Sequence, residues 1–337
     1  MNNDIGKIYC NVFRRFGVEI ELNSFDGRNR PVDYEFGVLP EGSHHIANLV
    51  HKSVGNKVFL QKWQNNHNND YWILKPDSSC GIEVCTPVLK GMEGLRNVCS
   101  AVDAFARDAL VMSDQRCSFH VHVDVHDLNV GDIAALVSWW VKMEHFFMRI
   151  VPMSRRRSRY CQMLSFSSIF EKGVGCMMSD AHLVASVGRH KYYSLNTYHM
   201  QKKKRKTVEF RIMDSSCCLS YHEAKNYLLL LLHFVELAVE KGTPREYDQD
   251  DPLTGYSWLG VSESLSFLRM DEKSSLSEGM SEVRRWLYGR LLRNEHNGEK
   301  GIFGYKCKSL SEEHLRLFGL FCDDYGNFKF SEDKFLE

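Results

Sequence analysis

Polar and apolar residues alternate at a period of two in four short segments of this chain. They read FGVEIE at Phe16–Glu21, DSSCGIEVCTP at Asp77–Pro87, CSFHVHVD at Cys117–Asp124 and TVEFR at Thr207–Arg211. A strand turns successive residues to opposite faces, so each segment predicts a strand with two unlike sides. Val18, Ile20, Phe119, Val121, Val123, Val208 and Phe210 form a packing side. Glu19 with Glu21, His120 with His122, and Glu209 with Arg211 share the other. Alone, each polar pair is an ordinary solvated strand face. Three of them set in strongly apolar strands, with Glu83 in a fourth segment, point to a site.

Elsewhere the period lengthens to that of a helix. Leu95, Val98, Val102, Phe105 and Ala109 recur at helical spacing behind Gly91 and Gly94. Ile133, Leu136, Trp140, Met143, Phe147 and Ile150 do the same, with Asp132 as candidate cap and an end near Pro152. A third helix is expected over Tyr221–Lys241. Its five consecutive leucines are interrupted by His233 and Glu236, so it reads as a buried helix rather than a membrane span. The first strand is expected over residues 12–24. Residues 25–71 look like a long polar insertion with a small hairpin near Val58–Trp63. Lys191–Met200 and Lys206–Met213 read as two strands joined by the basic turn Lys202–Lys206. Beyond Gly242 a polar linker leads to short helices near residues 261–270 and 280–294.

Strands and helices alternate too irregularly for a doubly wound sheet, and no glycine-rich phosphate loop follows any strand. The expectation is an α+β fold, a mostly antiparallel sheet backed by helices on one face. Residues 1–243 are expected to form the catalytic domain, and residues 244–337 a helical extension packed on it. At 337 residues the chain is longer than a single core usually needs.

Composition narrows the function by exclusion. Lys plus Arg and Asp plus Glu both number 43, so nothing global favours nucleic acid or an acidic membrane. The 11 cysteines are odd in number and contain no C-x-x-C pair, which disfavours a disulfide framework or a zinc ribbon. The N-terminal sequence lacks a charged-then-apolar signal pattern. Together these predict a cytoplasmic protein with reduced thiols; a homo-oligomer is compatible with them.

Carboxylates gathered away from water need a cation or hydrogen bonds to offset their repulsion. Glu19, Glu21, Glu83, His120 and Glu209 can supply oxygen and imidazole ligands for Mg, or for Mn, if their strands are neighbours. Arg211 and Arg155 can then bind phosphate oxygens bidentately. Cys85, Cys117 and Cys161 read as small buried fillers.

The ordered set FGVEIE, D-x-S-x-x-G-I-E-V-C-T-P, C-x-F-H-V-H-V-D, S-R-R-x-x-R-Y-C, Y-Y-S-L-N and T-V-E-F-R-I-M over about residues 12–240 resembles the amidoligase family. That family is related to glutamine synthetase and glutamate–cysteine ligase. The resemblance implies a curved antiparallel sheet with helices on its convex face, like the glutamine synthetase catalytic domain. It also implies ATP-dependent joining of a carboxylate to an amine through an acyl phosphate, with two or more divalent ions. By motif, the metal positions are Glu19, Glu21, Glu83, His120 and Glu209. Arg211, Arg155 and Glu83 take catalytic roles. His122, Arg155, Arg159, Asn196 and Arg211 take the nucleotide. The substrates implied are small-molecule or peptide carboxylates and amines.

His126, Asp124 and Asp77 are candidate bases for the incoming amine, though Asp77 equally suits a turn with Ser78 and Ser79. Two other readings stand beside the ligase. HVHVDVH at His120–His126 suggests a metal-dependent hydrolase, although Val125 breaks the H-x-H-x-D-H spacing and leaves Glu19, Glu21 and Glu209 without a role. A guanidino-kinase-like phosphotransferase is the other.

Overall fold

A computed structural model describes residues 14–25, 39–61, 70–167, 179–188, 190–201, 206–244, 259–271 and 273–296, with the short strands at 320–322 and 328–330. Seven strands form one sheet: β1 (Phe16–Asn23), β2 (Val58–Leu60), β3 (Trp72–Asp77), β4 (Gly81–Cys85), β5 (Ser118–Asp124), β6 (Leu195–Asn196) and β7 (Thr207–Asp214). Their spatial order is β2-β3-β4-β1-β5-β7-β6. Every neighbouring pair is antiparallel except β2 with β3. Two further strands, β8 (Leu320–Cys322) and β9 (Phe328–Phe330), pair with each other.

The helices are α1 (Ser43–Val54), α2 (Gly91–Arg107), α3 (Val130–Arg149), α4 (Met153–Arg156), α5 (Asp180–Val187), α6 (Tyr198–Gln201), α7 (Tyr221–Lys241), α8 (Val261–Phe267) and α9 (Glu278–His296). The apolar sheet face turns to them. Phe119 packs edge-on against Tyr227 of α7, and Phe210 does so against Trp140 of α3 and Phe234 of α7. Leu228 to Leu232 are all buried, because α7 is enclosed by α2, α3 and α9 as well as by the sheet. Burying a leucine fully contributes about 1.5–3 kcal/mol, so this run anchors the helical layer.

Several local expectations change in the structure. Asn129, not Asp132, is the N-cap of α3; Asp132 is the reciprocal partner three residues on, closing a capping box. The Val58–Leu60 segment pairs in parallel with β3 rather than folding into a hairpin. The region expected to be a polar insertion contains α1, whose Ile46 and Val50 are buried. Only Leu195–Asn196 of the Lys191–Met200 segment is strand, followed by α6; residues 202–205 of the basic turn lie outside the described residues. Among the described residues no helix is long and apolar enough to cross a membrane. The described cysteines, Cys80, Cys85, Cys99, Cys117, Cys161, Cys217 and Cys218, are free thiols.

Between α9 and the body of the fold, Arg290 donates to Asp214 at 2.9 Å and Trp286 to Glu223 at 2.6 Å. Helix α9 therefore meets both β7 and α7 through polar contacts.

Candidate active site

Strand register decides which polar residues meet. Glu19 of β1 lies between Cys85 of β4 and His120 of β5, and Glu21 lies opposite Glu83. Glu83 in turn faces Lys75 of β3. His122 faces Glu209 of β7, which faces Asn196 of β6. One polar surface thus runs across six strands. Glu19, Glu21, Glu83, His120 and Glu209, expected from separate segments, come together on it.

The turn joining β3 to β4 fixes one side of this surface. Asp77 accepts from the backbone N–H of Ser79 at 2.7 Å and of Cys80 at 3.2 Å, and also from the Ser79 hydroxyl. Gly81 closes the turn at φ 115°, and a Cβ there would lie 2.8 Å from the Ser24 nitrogen. Asp77 is thus engaged as the turn's cap, as its local sequence suggests.

The central contacts are close. His120 Nδ1 lies 3.2 Å from Glu19 Oε2 and 3.5 Å from Glu209 Oε1. His122 Nε2 lies 3.2 Å from Glu19 Oε1. Lys75 Nζ reaches Glu83 Oε1 at 2.8 Å, and the Cys85 thiol reaches the same oxygen at 3.0 Å. Glu21 Oε2 accepts from the Ser118 N–H at 2.7 Å and from its hydroxyl at 2.6 Å. Ser118 Oγ also lies 2.9 Å from His120 Nε2. Asn196 donates to Glu209 Oε2 at 2.6 Å, and Arg211 pairs with Glu209 Oε1.

This crowding moves the ionisations apart. Burial raises Glu21, and the neighbouring Asp77 and Glu83 charges add to it. Burial and the Glu19 charge bring Glu83 up to about 7. Glu19 goes the other way: burial opposes its charge, but His122 and His120 outweigh that and hold it well below the usual range. Burial and the Arg211 charge push His120 down to about 4. His122 resists burial through Glu19 and Glu209 and rises to about 9. Two imidazoles two residues apart therefore carry opposite tendencies, a common mark of functional sites.

Among the described residues two donor groups could hold a cation. Glu19, His122 and Glu209 offer ligand atoms within 4.8 Å of one another, as do Glu19, Glu83 and Cys85. Hard oxygens with one imidazole suit Mg or Mn in the first group. That group draws on His122, expected at the nucleotide, while His120 buttresses Glu19 and Glu209 from behind.

The β5–β7 ladder is irregular at this point. Val121 pairs with Phe210 and Phe119 with Met213, so β7 holds one extra residue, and Arg211 and Ile212 together face His120. Such a bulge interrupts the ladder and re-aims side chains. Arg155, expected at a phosphate, is buried and gives its Nε to the Ile212 carbonyl at 3.3 Å and its Nη2 to the Arg211 carbonyl. It clamps the bulge. Arg211 Nε meanwhile donates to the Tyr160 carbonyl at 3.2 Å. Arg159 is exposed beside it, stacked 4.9 Å from the Tyr160 ring centre and donating to that residue's hydroxyl at 2.7 Å.

Asp124 and His126 lie apart from these groups. Asp124 Oδ2 pairs with Arg15 at 2.8 Å and with His126 at 2.9 Å. Among the described residues neither joins a cation-sized donor group with His120 or His122.

Sequence reasoning passed over Lys75 and Ser118. Lys75 had a visible signal, because it shares strand parity with Asp77 in WILKPD, where Trp72, Leu74 and Pro76 point to the core. Ser118 had none, since its role depends on lying beside Glu21.

Residues 13–235 match the model of a family described as "Putative amidoligase enzyme". The chain is also similar to the crystal structure of a bifunctional glutathione synthetase from Pasteurella multocida, at 13% identity and a TM-score of 0.38. That alignment covers 94% of this chain and 53% of the other, so this chain spans about half the length of that protein. No curated protein matches the chain.

Proposed function

This chain belongs to the amidoligase family, and we propose that it is an ATP-dependent carboxylate–amine ligase acting through an acyl phosphate. One observation carries the reading: acidic and imidazole side chains from β1, β4, β5 and β7 converge on one sheet face, with Arg211 beside them. A divalent ion bound there would neutralise phosphate charge and hold the triphosphate for in-line transfer. Glu19, His122 and Glu209 are the ligands proposed for it, with Glu21 and Glu83 flanking and His120 fixing the two glutamates.

The substrate carboxylate attacks the γ-phosphorus of ATP and ADP leaves. The amine then attacks the acyl carbon and phosphate leaves, so the net loss from the two substrates is one water. Arg211 is proposed to face the charge that develops on the transferring phosphoryl group, with Arg159 at its outer edge. Arg155 positions Arg211 through the bulge carbonyls. Asn196 orients Glu209. The family relation also supports a sheet of the glutamine synthetase catalytic type, with residues 1–243 as the catalytic unit and the following segment as an extension held by Arg290 and Trp286.

The hydrolase alternative is weaker, because Asp124 and His126 engage Arg15 and each other. Mass spectrometry of reactions holding ATP, Mg and pooled carboxylates and amines tests the proposal. The expected product is lighter by one water than its parents, and an ¹⁸O-labelled carboxylate passes one label to inorganic phosphate. ATP-independent hydrolysis, or ligation with unlabelled phosphate, rules the scheme out.

A further inference from the structure

We propose that the Lys75 ammonium is the second cation of this site, standing where Glu19, Glu83 and Cys85 would otherwise hold a metal ion. This deepens the reading above and rests on its claim that the sheet face binds cations. The two donor groups share Glu19 but differ in what already fills them. In the second group, Lys75 Nζ sits 2.8 Å from Glu83 Oε1. The same ammonium interacts electrostatically with Glu83 and Glu19, while the Cys85 thiol, pushed well up by burial, donates to the same Glu83 oxygen.

An ammonium is a compact point charge on a flexible stem, so it can occupy a small cation's place among carboxylates. Arg211 also meets the first group, paired with Glu209 and interacting with Glu19, but in a different form. Its guanidinium spreads charge over a plane and approaches Glu209 from two residues along the same strand, while tied to the Tyr160 carbonyl. The first group also contains His122, whose imidazole could serve as a metal ligand once it gives up its proton, a role no ammonium can use. Cross-strand pairing holds Lys75 in place, because Lys75 and Glu83 are directly opposed in the β3–β4 ladder. Removing it would leave Glu83 and Glu19, whose ligand atoms lie within 4.8 Å of each other, without the ammonium that meets Glu83. The nucleotide-free protein therefore takes one divalent ion, at Glu19, His122 and Glu209.

The test counts Mn²⁺ bound to the full chain without nucleotide, from the free-ion signal in electron paramagnetic resonance. Wild type and Lys75→Arg are expected to bind one ion, and Lys75→Met two. The gain of one ion in Lys75→Met decides the inference. An equal count in the two proteins, with circular dichroism showing both folded, overturns it, and so do two ions in wild type. If Lys75→Met does not fold, Glu83→Gln in the wild-type background serves instead. One ion retained there supports the inference, and loss of that ion overturns it. The wider reading is judged separately, because it fails if wild type binds no Mn²⁺ at all.

Discussion

Two of the places where this molecule buries carboxylates solve the problem in opposite ways. Glu144 on α3 has no exposed surface and is met by fixed donors: the N–H groups of Leu164 at 2.6 Å and Ser165 at 2.8 Å, and the Ser194 hydroxyl. Trp140 donates to that hydroxyl in turn at 2.8 Å. Burial raises the Glu144 pKa, and the serine and backbone donors oppose the rise. The sheet face instead sets Glu19, Glu21, Glu83 and Glu209 among one another and two imidazoles. The first arrangement is complete as it stands and braces a loop. The second leaves negative charge gathered at one spot, which is what a cationic ligand needs. Burial of an acid therefore says little about chemistry until its partners are counted. Glu21 stands between the two cases, held by Ser118 like a structural acid but crowded by Glu83 like a functional one.

The sharpest test of this contrast is Glu209→Gln. Turnover is expected to fall roughly 10³-fold, the upper range for losing one charge-stabilising group. Mn²⁺ affinity should fall with it, while the urea midpoint moves little, because Gln keeps an acceptor for Arg211 and Asn196. Unchanged Mn²⁺ binding would place the cation elsewhere. Glu144→Ala should do the reverse. Stranding three buried donors is expected to remove about 3 kcal/mol of stability, read by urea unfolding, with Mn²⁺ still bound by the folded fraction. A variant as stable as wild type would mean the brace is redundant.

Arg211→Ala comes next, with a loss of roughly 10²-fold in turnover and little change in melting, since the bulge is clamped by the Arg155 side chain and not by the Arg211 side chain. Restored turnover in Arg211→Lys would show that charge alone suffices, against the planar fork invoked here. The smallest effect belongs to Glu282, which meets Lys225 at 2.6 Å and His222 at 3.4 Å. The His222 hydrogen bond, opposed by burial and aided by Lys225, lowers it to about 2. A depressed carboxylate contributes stability that is present above its unfolded value and lost as pH falls through the folded one. After allowing for solvent screening, about 1 kcal/mol should disappear between pH 5 and pH 2. Acid melts of Glu282→Gln that keep the wild-type slope would remove this pair from the account.

How far the chain could be read in advance follows the same division. Face assignment needed only the alternation of residues, so Glu19, Glu21, His120, His122, Glu209 and Arg211 were all placed on one side. Helix α7 followed from its apolar run, with the bounds Tyr221–Lys241. What depended on neighbours stayed hidden. Nothing within β5 says that His122 lies against Glu209 while His120 falls at the bulge. Nothing in SRRRSR says that Arg155 turns inward to two carbonyls while Arg159 stays outside. Helix α1 escaped notice although Ile46, Leu49, Val50 and Val54 recur at helical spacing, because it sits in an otherwise polar stretch and its N-cap is Gly42 with no capping side chain.

The surplus residue in β7 works like a vernier between two otherwise matched scales. Shortening β7 by one at Ile212 would bring the ladder back into step. It would also withdraw a carbonyl from Arg155 and shift Asp214 away from Arg290, which now grips it at 2.9 Å. The aim of Arg211 and the mooring of α9 are thus set by a count of residues along one strand. A deletion there would disturb both at once, where no single substitution could.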